Sequence, residues 1–226
     1  MTVRSGSLIV FEGIEGAGKT TQLTRLATRL AAAGIGCDSF REPGGTAIGD
    51  EIRRLLLDPA HDVTPRAEAL LFMASRAELV ERALKPALAA GRIVLLDRFT
   101  LSTYAYQVAG RGLDEREVRA ANVTATGGLV PELTVLLRVS PSVGEERARR
   151  RGVLDRMEAS GAAFHERVAA AFARYEDRSW QREHPECGPI IGVDADGTAD
   201  DVETRVLQLL TEAIPELRSA LTAVAR

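Results

Sequence analysis

The stretch FEGIEGAGKTTQL, residues 11–23, decides the fold. It places three glycines and a lysine between an apolar run and a polar stretch punctuated by leucines. Residues 13–20, called the phosphate loop below, match the pattern GxxxxGK[ST] at a point where a strand would end and a helix would begin. The pattern therefore predicts a loop that wraps around phosphate groups.

The residue types explain why such a loop binds a nucleoside triphosphate. Glycines adopt dihedrals closed to other residues, so backbone N–H groups can converge on phosphate oxygens, helped by the helix N-terminus. Lys19 would place a charge on the β- and γ-phosphates, and the Thr20 hydroxyl would coordinate Mg²⁺. The alternative is a glycine-rich turn with an incidental lysine. The predicted nucleotide-binding residues are Gly13, Ile14, Glu15, Gly16, Ala17, Gly18, Lys19, Thr20 and Thr21.

Composition limits the possible partners. The 226 residues, 45% of them hydrophobic, can bury one good core, and we expect one domain spanning residues 1–226. The formal charge of −3 gives no broad attraction to nucleic acid or to an anionic membrane. Cys37 and Cys187 have no disulfide or metal-site spacing, and the apolar run of residues 8–11 is too short for a signal peptide or a membrane span. We expect a cytoplasmic protein.

Short runs rich in Val, Ile and Leu alternate with helix-like segments. This alternation predicts an α/β fold around a parallel sheet. The predicted strands are 7–13, 91–98, 133–139 and 189–195, with a weaker fifth at 35–42, and the clearest helices are 19–33, 65–90, 114–127 and 141–151.

The phosphate loop does not name a reaction, because GTPases, motors and small-molecule kinases all use it. The sequence has no NKxD motif for reading guanine, and motors or transporters usually need a longer chain. The strand predicted within residues 91–98 ends at Asp97, and Arg98 follows it directly: the carboxylate could hold Mg²⁺, and the arginine could bind an acceptor phosphate. The alternative is a surface ion pair. This placement favours a kinase.

Arginines crowd into GEERARRRGVLDRMEAS, residues 144–160. Such a run is usually a solvated helix face. Phosphoryl transfer, however, needs cations around the moving group and a closure that excludes water. Beside a phosphate loop, the run therefore predicts an arginine-rich lid, and the name lid is used below for residues 144–160.

The chain resembles the thymidylate kinases, specifically the bacterial type that carries its catalytic arginine in the lid. The resemblance runs from about residue 8 to residue 202 and rests on FEGIEGAGKTTQ, FREPGGT, LLLD, ALLFMASRAELVE, KPAL, DRFTLSTYAYQ, GRG, PELTVLLRVSP and ERARRRGVLDRME. It implies a P-loop NTPase fold with a five-stranded parallel sheet flanked by helices. It also implies transfer of the γ-phosphoryl group of ATP to dTMP with Mg²⁺, for dTTP synthesis, and a homodimer packed through helices.

The resemblance also implies how the base of dTMP is held. Phe72 would stack on thymine and Arg76 would bind a carbonyl at its edge. Their i, i+4 spacing independently puts both on one helix face. The alternative is a core phenylalanine beside an arginine paired with Glu81 or another acid. A separate stripe is suited to the core: Leu70, Met73, Ala77, Val80 and Leu84.

Other acceptor contacts come from the resemblance alone. Arg98 would bind the monophosphate, Thr103 the base edge, and Tyr106 the face of the sugar where a ribose carries its 2′-hydroxyl, which would exclude ribonucleotides. Glu15 would lie near the 3′-hydroxyl. Arg41 and Glu42 would line the region of the acceptor phosphate.

In the lid, the resemblance makes Arg149, Arg151 and Arg156 the set from which the transferring phosphoryl group is contacted, in addition to Lys19 and Arg98. Asp97 and Thr20 would hold Mg²⁺. Residues 193–202 would border the adenine through their backbone. Two rivals stay open: a kinase for another nucleoside monophosphate, and a non-catalytic ATP-binding interaction module.

Overall fold

A parallel five-stranded sheet forms the centre of the protein. The computed structural model describes residues 6–150, 152, 155–218 and 221. The strands within them are β1 (Leu8–Glu12), β2 (Cys37–Arg41), β3 (Ile93–Asp97), β4 (Leu133–Arg138) and β5 (Ile190–Asp194). They lie in the order β2-β3-β1-β4-β5, which confirms the predicted α/β class and all five predicted strands.

Helices connect the strands and flank the sheet. The described α-helices are α1 (Lys19–Ala32), α2 (Ala47–Leu57), α3 (Pro65–Leu79), α4 (Lys85–Ala89), α5 (Thr100–Thr103), α6 (Glu115–Thr126), α7 (Pro141–Arg149), α8 (Ala162–Arg174), α9 (Arg178–Glu183) and α10 (Ala199–Ala213). Two π-helical segments, Val80–Leu84 and Tyr104–Gly110, continue α3 and α5. Short 3₁₀ turns occur at Pro185–Cys187 and Pro215–Leu217.

Local sequence explains the helix ends. Asp114 caps α6 by accepting the backbone N–H groups of Arg116 and Glu117, and Gly127 ends the helix in the left-handed region at φ 55°. Thr198 and Asp201 form a reciprocal capping box at the start of α10. These short-range signals are the kind that sequence alone can provide.

Alternating side chains of the central strands feed two different cores. Ile9 and Phe11 of β1 pack with α1 and α10, whereas Leu8 and Val10 pack with the end of α3 and the π-helical segment that follows it. Because both faces are covered, β1 is apolar at nearly every position. Its Glu12 is the exception, and that residue has a role in the site.

One core prediction was wrong. Leu70 was placed in the apolar stripe of α3, but its side chain is 65% exposed, whereas Met73, Val80 and Leu84 are buried as predicted. The helical spacing of apolar residues could not show that Leu70 is at the protein surface, because an exposed leucine fits the same spacing as a buried one. No helix in the described part of the chain is long and apolar enough to cross a membrane.

Candidate active site

The phosphate loop joins the end of β1 to the start of α1 at the carboxyl edge of the sheet, where parallel α/β folds bind ligands. Gly13 and Gly16 have positive φ, 141° and 74°. A Cβ on Gly13 would lie 2.5 Å from the Leu137 carbonyl oxygen, and one on Gly16 would lie 2.1 Å from that of Gly144. Glycine is therefore required here both for backbone conformation and for close packing.

Lys19 is buried at the first position of α1. Its Nζ donates to the carbonyl oxygens of Ile14 (2.9 Å) and Gly13 (3.2 Å). Burial and the neighbouring Arg98 lower the pKa of Lys19 to about 8. A bound anion would stabilise the charged form of this buried ammonium and offset its repulsion by Arg98. Lys19 is therefore suited to binding phosphate.

Thr20 and Asp97 meet although they lie far apart in sequence. The Thr20 hydroxyl donates to Asp97 Oδ2 at 2.5 Å, across the ends of β1 and β3. Hydroxyl and carboxylate oxygens are ligands that Mg²⁺ accepts in proteins. Among the described residues no group of three or more His, Cys, Asp or Glu side chains could hold a metal ion.

Arg98 has a backbone conformation unusual for a non-glycine residue, with φ 71°. The turn around it is held by Glu12, which is buried. One Glu12 oxygen accepts the backbone N–H groups of Phe99 (2.8 Å) and Ser102 (3.0 Å), and the other accepts the Ser102 hydroxyl (2.6 Å). Glu12 thus caps α5 from the neighbouring strand and fixes the direction of Arg98.

The Arg98 guanidinium points into the site. It donates to Glu15 Oε2 (2.9 Å), to the Gly13 carbonyl oxygen (3.2 Å) and to the Ser102 hydroxyl (3.0 Å). It also lies over the Tyr106 ring, 5.1 Å from the centroid. Burial raises the pKa of Tyr106 to about 12, so this phenol stays protonated at neutral pH. Asp97 and Arg98 are not paired with each other; each has its own partner.

Arg76 is 2% exposed and uses all five of its N–H donors within the protein. They bind Glu42 Oε2 (2.8 and 2.6 Å), the Phe99 carbonyl (2.9 Å), the Thr103 hydroxyl (2.8 Å) and the Asn122 amide oxygen. The acid that pairs with Arg76 is thus Glu42, and burial raises the pKa of that carboxyl. The second Glu42 oxygen, Oε1, is buried with no hydrogen-bond partner.

These groups surround one cavity of about 590 Å³. Phe72, which is half-buried, lies on its wall, as do Thr103 of α5 and Tyr106 of the π-helical segment that continues α5. The other predicted residues on its wall are Glu15, Gly16, Gly18, Lys19, Thr20, Thr21, Arg41, Glu42, Arg76, Asp97 and Arg98. Gly13 contacts the site through its carbonyl oxygen, whereas Ile14 and Ala17 pack towards the cores.

The lid arginines have different surroundings. Arg147 lines the cavity and donates to the carbonyl oxygens of Ala195 (3.1 Å) and Gly197 (3.3 Å), in the segment predicted to border adenine. Arg149 pairs with Glu145 and is largely exposed. Arg156 pairs with the buried Glu68 (2.8 Å) and donates to the Leu56 carbonyl (2.6 Å). Arg151 lies outside the described residues.

The cavity also has wall residues that the sequence did not reveal. Arg53 of α2 donates to the Pro43 carbonyl (2.9 Å), and burial together with Arg41 lowers the pKa of Arg53. Its neighbour Arg54 is exposed and pairs with Glu51. Two adjacent arginines in a helix are typical of a solvated face, so the sequence gives no sign that Arg53 lines a cavity. The other unpredicted wall residues are Pro43, Leu57, Ser102, Gln107 and His165, and the predicted lid contributes Arg147, Asp155, Met157 and Glu158.

Comparisons with known proteins agree on one family. Residues 11–184 match the family model described as thymidylate kinase. A thymidylate kinase of Deinococcus radiodurans is 45% identical over 92% of this chain and 97% of that protein. Thymidylate kinases of an Exiguobacterium species (41%, covering 94% and 97%) and of a Synechococcus species (46%, covering 88% and 92%) are similarly close.

Proposed function

This chain belongs to the thymidylate kinase family, and we propose that the cavity described above is where it transfers the γ-phosphoryl group of ATP to dTMP. The enzyme is an ATP-dependent dTMP kinase of nucleotide biosynthesis. One observation carries the placement of the reaction. Lys19 and Arg98 both donate to the Gly13 carbonyl oxygen at 3.2 Å, so the donor cation and the acceptor cation meet at one point.

On the donor side, the phosphate loop and the N-terminus of α1 would bind the triphosphate of ATP. The loop amides and the helix dipole favour negative charge, and Lys19 would exchange its two carbonyl partners for phosphate oxygens. Arg147 already clamps α7 to the segment at Ala195 and Gly197. We propose that this junction borders the adenine.

Thr20 and Asp97 fit a magnesium ion. Both offer oxygen ligands and lie within hydrogen-bond distance of each other, Thr20 as the last residue of the phosphate loop and Asp97 at the end of β3. One or two protein oxygens, completed by water and substrate phosphates, are what Mg²⁺ usually takes. When bound, the ion supplies positive charge that offsets the charge on the phosphates.

On the acceptor side, Arg98 would bind the monophosphate of dTMP. Glu15 pairs with the Arg98 guanidinium in this structure. When the phosphate binds Arg98, Glu15 would lie near the sugar. Arg53 and Arg41 also line the cavity and would add positive charge around the phosphate. Because acceptor phosphate oxygens are already nucleophilic, positioning and charge neutralisation are enough, and no strong general base is needed.

At the base end, Phe72 would stack on thymine, and Thr103 and Arg76 would bind its edge. Since every N–H of Arg76 is engaged, a base carbonyl reaches Arg76 only by exchanging one of those contacts. Thr103 accepts from Arg76, so its own hydroxyl hydrogen can donate to the base. Tyr106 would face the 2′ carbon of the deoxyribose.

The transition state would be stabilised by Lys19, Arg98 and the lid. Within the described residues, Arg149 pairs with Glu145 one helix turn away in an exposed ion pair, which is worth little, so its guanidinium can move. We propose that it and Arg151 approach the transferring phosphoryl group as the lid, residues 144–160, closes. Residues 1–226, the lid included, would act as one cytoplasmic kinase domain without nucleic-acid or membrane partners.

An acceptor panel tests the function. ADP formation from ATP and Mg²⁺ is measured with dTMP, dUMP, UMP, CMP, AMP and GMP in turn. We expect turnover to be strongest with dTMP. A different best acceptor would keep the donor site and overturn the assignment of Phe72, Thr103 and Tyr106, and ATP binding without turnover would favour the interaction module.

A homodimer is the expected assembly, packed through the surface of α2, α3 and α6. These helices lie side by side and carry exposed apolar side chains at Ile48, Leu70 and Val123. A second copy would bury them. Light scattering should give about twice the chain mass of 24.3 kDa, and Leu70→Arg should shift the protein to monomer; a wild-type monomer would refute the dimer alone.

Nucleotide binding should depend on pH through Lys19. The pKa of Lys19 is lowered to about 8 by burial and Arg98, and a bound triphosphate favours the charged form, so binding above this pH takes up a proton. Affinity for ATP should therefore be flat below pH 8 and fall by up to about tenfold per pH unit above it.

Calorimetry from pH 7 to 9.5 measures this dependence. Lys19→Arg is the matched control, because a guanidinium stays charged over this range. The sequence contains just two lysines, Lys19 and Lys85, so NMR of ¹³C-labelled lysine reads the midpoint directly, with Lys85→Arg giving the assignment. An affinity that is independent of pH in the wild type would contradict the prediction.

A further inference from the structure

One buried carboxylate contacts residues of the cavity wall and has no role in the reaction proposed above. Glu68, in the first turn of α3, has a fully buried side chain. Its Oε1 accepts the Gln107 amide (3.0 Å) and Arg111 Nε (3.1 Å), and its Oε2 accepts a second Arg111 nitrogen (3.0 Å). The lid residue Arg156 also reaches Oε2, at 2.8 Å. One carboxylate thus lies between two guanidinium groups.

The last six residues of the lid, 155–160, are called the lid arm. Arg156 fixes it to the end of α2, with its backbone N–H on the Leu57 carbonyl (3.0 Å) and its Nε on the Leu56 carbonyl (2.6 Å). Arg111 fixes it a second time through the Ser160 hydroxyl (3.0 Å). Both arginines depend on Glu68 for their negative partner.

The lid arm forms part of the acceptor cavity. Asp155, Met157 and Glu158 line it, directly beside Arg156. Glu68 and Phe72 are i and i+4 on α3, so they share one helix face. Gln107, which also binds Glu68, lines the cavity next to Tyr106. Three walls of the cavity, on α3, on the helix after β3 and on the lid arm, therefore meet at one buried carboxylate.

We propose that Glu68 is a positioning residue, which holds the lid arm against the acceptor site through Arg156 and Arg111. The inference deepens the dTMP kinase function and rests on it. Buried charges that pair with good geometry define one arrangement, because breaking one contact leaves another charge unsatisfied in a low-dielectric site. Arg156 then acts on the position of the lid and not on the transferring phosphoryl group.

Two effects follow from a lid arm that is held in place. The wall formed by Met157 and Glu158 stays beside the acceptor, which favours dTMP binding. Correct placement of the arm would also let the lid close over the phosphates and exclude water, so that ATP is not lost to hydrolysis. Release of the arm should therefore change acceptor binding and coupling together.

Arg156→Met tests the proposal, because it removes the lid side of the contact and keeps the Glu68–Arg111 pair. Steady-state assays follow ADP and dTDP separately, with and without dTMP. We expect KM for dTMP to rise about 10- to 100-fold, as for a misplaced positioning group. We also expect ADP to exceed dTDP, because acceptor-independent hydrolysis becomes a larger share of turnover. Arg156→Lys should restore part of both.

Arg119→Met is the matched control. Arg119 pairs with Glu186 at 2.9 Å, away from the cavity and the lid, so its loss should change neither the KM for dTMP nor the ratio of ADP to dTDP. If Arg156→Met instead lowers kcat with both readouts unchanged, Arg156 contacts the transferring phosphoryl group and the proposal is overturned. Behaviour equal to that of Arg119→Met would overturn it as well.

A double-mutant cycle with Glu68→Gln decides whether the two residues act through one contact. The effects of Glu68→Gln and Arg156→Met on KM should be strongly non-additive, and additive effects would contradict the proposal. Thermal unfolding shows whether Glu68→Gln is folded; Glu68→Asp replaces it if it is not. These ratios are measured with whichever acceptor the wild type prefers, so failure of the dTMP assignment is seen separately, in the acceptor panel.

Discussion

Replacing Lys19 by alanine is expected to lower kcat by about 10²- to 10³-fold, equivalent to roughly 3–4 kcal/mol of transition-state stabilisation. Lys19 is a buried cation at the junction of the proposed donor and acceptor sites, and alanine would leave the bound phosphates without its charge. Because phosphoryl transfer is driven mainly by positioning and electrostatics, the loss should fall on kcat more than on the KM for dTMP.

Lys85→Ala provides the comparison. Lys85 is the second of the two lysines, lies on α4 and pairs with Glu81 at the surface. Its removal should leave turnover unchanged. Circular dichroism and thermal unfolding should show that Lys19→Ala is folded, because the variant removes a buried charge that costs desolvation. Near-wild-type kcat in Lys19→Ala would reject the proposed role of the phosphate loop.

Replacing Arg98 by methionine is expected to weaken dTMP binding by roughly 2–5 kcal/mol, the usual cost of removing one partner of a buried charge contact. Arg98 follows β3 with φ 71°, donates to the Gly13 carbonyl oxygen, and is the cation proposed to bind the acceptor phosphate. Thymidine, which has no phosphate, sharpens the measurement. Its affinity should hardly change, so the variant should lose most of the preference for dTMP over thymidine.

Two variants separate function from stability. Arg98→Gly removes the guanidinium and also relieves the backbone strain of φ 71°, which costs a non-glycine residue about 1–2 kcal/mol. Because this variant should not be destabilised at residue 98, a loss of affinity for dTMP would come from the missing guanidinium. Arg92→Met removes an arginine that pairs with Asp38 just before the other end of β3. It should cost stability only. Unchanged discrimination between dTMP and thymidine in Arg98→Met would place the acceptor phosphate elsewhere.

Local sequence patterns predicted many of the residues that line the candidate site. The phosphate loop, the strands that precede it and Asp97, and the spacing of Phe72 and Arg76 are all short-range features. Arg53 and Glu68 have no such signal. Each lies in a helix among other charged residues, where a sequence pattern cannot separate a buried charge from a solvated one.

The partners of the charges are the part that only the folded chain decides. Arg76 pairs with Glu42, 34 residues away, and Thr20 with Asp97, 77 residues away. Arg156 of the lid pairs with Glu68 of α3. In each case several acids were available, and the choice depends on which helix and strand ends the sheet brings together.

The sequence by itself determined the α/β class, the five parallel strands, the phosphate loop and the kinase family, because periodicity, glycine placement and motif spacing are local properties of the chain. The tertiary structure decided that Leu70 is exposed, that Arg76 has its donors engaged and that Arg156 is held by a buried carboxylate. These depend on burial and on long-range pairing, and both are set by packing between elements far apart in sequence.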